Sequence, residues 1–506
     1  MLVRPSKTLL LTLALGCVLM DSAFGLYSKK TTTYESVVKE AQNLSRKPYK
    51  PVKSRLPKPF LNLDYDGYRK IVWNPEQTLW KQDDLNFRME LFHPGYLFKE
   101  PVRINEFSDS HVQTVPFSSE LYHYGDLALN PRKISRRAEY AGFKLLFPLN
   151  DGNTFDEFLS FLGASYFRAL GTGQRYGKSA RALAINTGMD KPEEFPVFRE
   201  FWIGKPEFES VQVQIFALLD SPSVSGAFQF KVQPGKETVI DVTCTLFFRK
   251  AVDWLGLAPL TSMYWYGENS IARPNDFRPE VHDSDGLLVQ TDTGSVWRPL
   301  VNDGRKRTHV ESSETIQGFG LMQRDQSFDH YQDLEAWYQA RPSVWVEPTE
   351  AWKPGSVQLI EFPSNNEYFD NIVSAWVPEE TPTVGEAFHF SYRLRWTQMA
   401  APDETLARVY STRQGAGLDG KPGSQFVLEF TQPKREKKWD VENLSADFSG
   451  SGEVAIADVK LLENPFDNRW RVVFRAYGHQ PADVVCRLID EGEVVSETWS
   501  YPWKPN

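Results

Sequence analysis

Ile240-Asp241-Val242-Thr243-Cys244-Thr245-Leu246 alternates apolar and polar side chains at every step. In an extended chain successive side chains point to opposite faces, so this stretch is a half-buried strand. The same period of two recurs at Val211 to Ile215, Phe228 to Val232, Phe388 to Trp396, Phe426 to Phe430 and Trp470 to Phe474. Many strands with few helical stretches place the chain in the all-β class, built from sandwiches.

Helical spacing is confined to three places. Thr154 and Glu157 form a capping box ahead of Phe155, Phe158, Leu159 and Leu162, which predicts a helix there. A second helix is expected from Thr32 with Glu35, turning Val38, Ala41 and Leu44 inward. A third is expected over Asp329 to Ala340, ending before Arg341-Pro342 because the residue preceding proline disfavours helix.

The amino-terminal end carries Arg4 and Lys7, an apolar run from Leu9 to Met20, and Ala23-Phe24-Gly25. This is the pattern of a secretory signal over residues 1–25, cleaved before Leu26. The alternative, lipid attachment at Cys17, requires the position three before it to suit a lipoprotein signal, and Ala14 stands where leucine is usual. No later stretch is apolar enough to span a bilayer, so no stable membrane insertion is expected after cleavage. Of the two cysteines beyond the signal, Cys244 falls on the apolar side of its strand and reads as a small buried hydrophobe.

The formal charge of −9 argues against a nucleic-acid partner. The chain has 15 Trp, 20 Tyr and 34 Phe, and flat aromatic faces that pack cores also stack on sugar rings. The eight histidines make no His-x-His or His-Glu-x-x-His pair, so neither a catalytic zinc nor any other cofactor is expected. Gly171 to Ser179 misses Walker spacing by one residue and reads as a tight glycine-rich turn whose amides can face a sugar hydroxyl.

The informative segments lie between Pro259 and Pro378. Tyr264-Trp265-Tyr266 cannot all point inward from a strand, so at least one is expected to face solvent or ligand. Arg278-Pro279-Glu280-Val281-His282-Asp283-Ser284-Asp285-Gly286 is a carboxylate-rich turn, and Trp297-Arg298-Pro299-Leu300 follows it. Glu361 to Asn371 then places Glu367, Tyr368 and Asp370 in a polar loop ahead of the apolar run Ile372 to Val377. The break at Thr397-Gln398-Met399-Ala400-Ala401-Pro402-Asp403 predicts a linker over 398–403 between a domain at 26–397 and one at 404–506.

Phe161-Leu162-Gly163-Ala164-Ser165-Tyr166-Phe167-Arg168, Ala258 to Met263, Pro279 to Ser284, Trp297 to Leu300, Gln317 to Leu321 and Ser496 to Tyr501 occur in one order across the chain. With them the sequence resembles the periplasmic glucan biosynthesis protein G/D family, whose members help make osmoregulated periplasmic glucans. The resemblance implies a periplasmic protein with a large galactose mutarotase-like β-sandwich followed by an immunoglobulin-like sandwich. It further implies an inverting endo-β-1,2-glucanase in which Asp370 is the general acid and Asp283 the general base. The implied partners are a β-1,2-linked glucan and a membrane glucan synthase. Tyr264, Trp265, Tyr266, His282, Trp297, Arg298, Glu367 and Tyr368 are then the candidate substrate-binding residues. The chain departs from the family pattern at Asn366, where an aspartate is common. A non-catalytic glucan-binding or scaffolding protein is the alternative reading.

Overall fold

A computed structural model describes residues 32–505 apart from 110, 135–136, 399–404, 418–422, 433–438, 440–441 and 451. The signal at 1–25, Cys17 and most of the 398–403 linker lie outside the described residues.

Two large sheets face each other. The longer one runs, neighbour to neighbour, from Leu444–Gly450 through Ala482–Asp490, Thr498–Trp503, Gly294–Pro299, Gly286–Thr291, Ile316–Met322, Ser343–Pro348, Ala387–Thr397 and Thr238–Phe248. It continues through Val224–Gln233, Val213–Asp220 and Val197–Gly204 to Arg103–Phe107 and Val112–Thr114. The second runs through Arg88–Phe92, Gly142–Phe147, Asp156–Leu162, Tyr166–Ala169, Ser179–Arg181, Leu255–Ser262, Ile372–Pro378, Gly355–Glu361 and Arg307–Ser313. Phe143, Phe161, Phe167, Phe198, Phe201 and Phe230 fill the space between them, with Phe161 stacked 5.1 Å from both Phe143 and Phe167. Such offset and edge contacts add to the area that each ring buries.

The strand over Ile240 to Leu246 is Thr238–Phe248, lying between Val224–Gln233 and Ala387–Thr397. Its inward residues, Cys244 among them, are buried. Cys244 and Cys486 are both free thiols. The helix expected near Thr32 spans Tyr34–Ser45; Thr33 caps it one residue later than expected, and Val37 and Ala41 are the residues that it buries.

The helix expected at Thr154 to Leu162 is instead the strand Asp156–Leu162. Its apolar spacing comes from a bulge: Leu159 pairs with Leu145 and Glu157 with Leu146, which leaves Phe158 as the extra residue. Two adjacent residues, Phe158 and Leu159, therefore point inward, with Phe161 two further on, and this imitates a helical face. Thr154 donates its hydroxyl to Asp151 at 2.7 Å rather than capping a helix. The third expected helix is also broken. Phe328–Tyr331 makes one turn, Gln332 and Trp337 adopt left-handed backbone, and only Tyr338–Ala340 resumes as a 3₁₀ turn. Asp333 accepts the backbone N–H groups of Glu335 and Ala336 at 2.8 and 2.7 Å, which favours a turn over helix.

Toward the carboxyl end, Val409–Ala416, Ser424–Thr431, Arg469–Gly478 and Val454–Asn464 form a four-stranded sheet. Its core includes Phe426, Trp470, Phe474 and Trp499, together with Leu288, Trp297, Met322 and Trp345 from the earlier part of the chain. At the junction Val296 and Trp297 pair in parallel with Thr498 and Trp499, extending one sheet across both parts.

Candidate active site

Ser262 and Ile372 are paired at the ends of neighbouring strands, and the candidate residues gather where the chain leaves them. The Asn371 side chain accepts the Tyr264 N–H at 2.8 Å and donates to the carbonyls of Tyr264 and Phe362, both at 2.9 Å. This closes the loop at 362–371 and fixes Asp370 at its end. On the other side, Tyr264 pairs with His282, and the Asp283 N–H donates to the Met263 carbonyl at 2.8 Å. Both aspartates are thus held against one short segment, Met263 to Tyr264.

Their surroundings differ. Asp283 is buried, at 3 % exposure, and its carboxylate is ion-paired with the Arg341 guanidinium. The Lys178 ammonium donates to the carbonyls of Asp283 and Pro342, and burial pushes it down to about 7. Gly177 passes so close that a Cβ there would stand 2.7 Å from Arg341 Cδ and 3.2 Å from Asp283 Cγ. The glycine-rich turn therefore contributes to the site through close packing, a role its missed Walker spacing concealed. Asp370 lies on the rim with 34 % of its side chain exposed, and Arg168 Nη2 is 3.9 Å from its Oδ2. Burial raises its carboxyl above the ordinary range; the Arg168 charge opposes this and the nearby Asp283 charge adds to it. The open third of the side chain limits the rise that burial gives.

One arginine ties the loops of the site together. Arg278 reaches Glu367 at 2.7 Å, Asp333 at 2.9 Å and Asp276 at 2.8 Å. Glu367 also accepts the Tyr338 hydroxyl, and the Arg341 guanidinium lies 4.2 Å from the centre of the Tyr338 ring. The contacts form a continuous path from the Asp370 loop through Glu367, Tyr338 and Arg341 to Asp283.

The other residues singled out in the sequence divide into three groups. Glu367 and Tyr368 stand on the Asp370 loop, Glu367 half-buried and Tyr368 exposed at 83 %. Tyr264 and Tyr266 are buried, their hydroxyls donating to Asn269 and to the Arg278 carbonyl, while Trp265 between them is half-buried. His282 is buried beneath Tyr264, 5.4 Å from its ring; burial lowers its pKa, but the Glu280 carboxylate at 3.0 Å outweighs this and raises it overall. Trp297 lines a pocket with Tyr264, Glu280 and His282, and Arg298 faces the carboxyl-terminal strands. Arg324 lies 3.7 Å above the Trp297 ring, and Arg298 donates to Ser500 Oγ and Asp483 Oδ1, both at 2.9 Å. They join the carboxyl-terminal strands because their own strand pairs with Thr498–Trp503.

Arg341, Lys178, Arg168 and Arg278 were not picked out in the sequence. The cue was faint: Arg341 stood out only as the residue before Pro342, and Arg278 only as the start of an acidic turn. Among the described residues, Glu280, Asp325 and His330 bring three donor atoms within 4.8 Å of one another and could hold a metal ion. Asp325 and His330 bond to each other at 2.5 Å and Glu280 bonds to His282, so each of the three already has a protein partner. No described helix is long and apolar enough to cross a membrane.

Comparison with known proteins follows the same outline. A family model described as "Periplasmic glucan biosynthesis protein, MdoG" matches residues 33–503. The chain is also 40% identical over 482 residues to "Glucans biosynthesis protein G" of Shewanella frigidimarina (strain NCIMB 400), covering 94% of this chain and 85% of that protein.

Proposed function

The chain belongs to the periplasmic glucan biosynthesis protein family and takes part in making periplasmic glucan, and from that premise we propose that it is an exported inverting endo-β-1,2-glucanase acting on the glucan backbone. Asp370 is the general acid and Asp283 the general base. The observation that carries this reading is the contrast between them: a rim carboxyl raised by its surroundings and a buried carboxylate paired with a guanidinium, held on either side of Met263 to Tyr264. An acid and a base separated in this way suit the two halves of an inverting displacement.

In that reaction Asp370 gives its proton to the glycosidic oxygen as the bond to the anomeric carbon breaks. Water attacks that carbon from the opposite face, and its proton passes to Asp283, directly or along intervening hydroxyls. The inverting geometry needs a carboxyl separation of roughly 6.5–9.5 Å to admit the water. The test is release of reducing ends from linear β-1,2-glucan, with the anomer of the first product read by NMR. A product with inverted configuration that disappears in Asp370→Asn supports the assignment; equal turnover by that variant refutes it.

A specific observation favours the second reading, a glucan-binding protein without turnover that works beside a membrane glucan synthase. Asp283 is 3 % exposed and one of its oxygens is taken up by Arg341, which leaves a water little access to it. Tight binding of the same glucan with no reducing ends after prolonged incubation selects this reading.

A further inference from the structure

Trp337 stands in a costly position. Its backbone is left-handed, with φ 52° and ψ 50°, and its side chain is exposed at 41 %. Bulky L-residues avoid that region because Cβ crowds the following carbonyl, and an exposed indole gains little from burial. Trp337 belongs to none of the buried hydrophobic clusters, and the Arg175 guanidinium lies 5.4 Å from the centre of its ring. Strain held at an exposed aromatic is the mark of a residue kept for what it contacts.

The turn that presents it is rigid. Asp333 accepts the N–H groups of Glu335 and Ala336 and is itself gripped by Arg278; the Trp337 indole N–H donates to the Leu334 carbonyl. The Ala340 N–H donates to the Trp337 carbonyl at 2.9 Å, and the Arg175 N–H to the Ala340 carbonyl at 3.0 Å. The turn also borders the two aspartates: Arg341, four residues on, pairs with Asp283, and Gly177, two residues after Arg175, packs against both. Through Arg278, one cation fixes the Trp337 turn and the Asp370 loop together.

We infer that Trp337 is a stacking platform for a glucose ring of the bound glucan, on the turn that Arg278 ties to the Asp370 loop. The inference rests on the glucan reading of the site. The indole face takes the axial C–H face of the ring.

The test uses Asp370→Asn protein, in which turnover is blocked, titrated calorimetrically with linear β-1,2-glucan. Trp337→Ala in that background is expected to bind about tenfold more weakly, and Trp337→Phe to retain most of the affinity. Trp337→Gly, which relieves the left-handed backbone, is expected to lose affinity as Ala does while melting no lower than its parent. Equal affinity for the Ala variant and its parent would overturn the platform while leaving the glucan reading in place. Failure of the parent itself to bind the glucan would overturn both.

Discussion

Arg278→Met removes one cation from among three carboxylates. The arginine side chain is 10 % exposed, and those of Asp276, Asp333 and Glu367 are 16, 10 and 22 % exposed, so water screens the exposed charges poorly. Breaking a buried pair by deleting one partner costs on the order of 3–5 kcal/mol, because the remaining charges stay desolvated and now repel. The cost falls on two loops rather than on the sheets, so local opening should appear before global unfolding. Hydrogen exchange should quicken at the amides of Glu335, Ala336 and Tyr368, which donate to side chains within those loops. The pH dependence gives the sharper signature. Asp276 is held below the usual range by Arg278, and Asp333 is lowered by the N–H groups of Ala336 and Glu335 and by Arg278 despite its burial. A depressed carboxyl stabilises the fold above its unfolded pKa, near 4, and that contribution is lost as pH falls through the folded value. The gap between parent and variant should therefore be widest at neutral pH and narrow below about pH 4. An unchanged gap in acid, or unaltered exchange at the three amides, would refute this role for Arg278.

Asp370→Asn should abolish reducing-end release; because burial raises the native carboxyl, the ionised form opposes folding, so the variant should melt no lower at neutral pH and lose any advantage in acid. For the same reason the parent's rate should fall as pH rises through that raised pKa, which a pH–rate profile measures. Gly177→Ala pushes into Arg341 and Asp283 and should lower kcat by about a hundredfold, with a far smaller change in the denaturation midpoint. Phe161→Ala empties the middle of the aromatic stack and should cost about 3–5 kcal/mol in urea unfolding, with the slope unchanged.

Strands were legible where one side of a sheet is buried and the other wet, as in Thr238–Phe248, because alternation records that environment directly. Asp156–Leu162 was misread because a bulge adds one residue, and a shifted period of two resembles a helical spacing. The two aspartates were accessible as carboxylates in polar loops beside strand ends, and the family resemblance gave them roles. Their cationic neighbours were not accessible. Arg341 lies 58 residues from Asp283 and Lys178 lies 105; Asp283 and Arg341 lead into Gly286–Thr291 and Ser343–Pro348 of the longer sheet and Lys178 into Ser179–Arg181 of the second, so the strand order of both sheets is needed to bring them together. Trp297 and Arg298 entered as candidate substrate-binding residues through the family resemblance. Their neighbours at Thr498–Trp503 are roughly two hundred residues away, a pairing that local pattern does not encode.

That parallel pairing also orders events during synthesis. Gly294–Pro299 acquires its second neighbour only when Thr498–Trp503 has been made, so in a chain that folds as it emerges its outer edge stays open through the intervening growth. An open edge is a template for any passing strand, and here it is flanked by Trp297, Leu288 and Trp345, which are buried only once the later strands dock. The vulnerable interval ends when Val296 and Trp297 meet Thr498 and Trp499. A chain interrupted before residue 498 would therefore keep its two aspartates but be prone to join its neighbours.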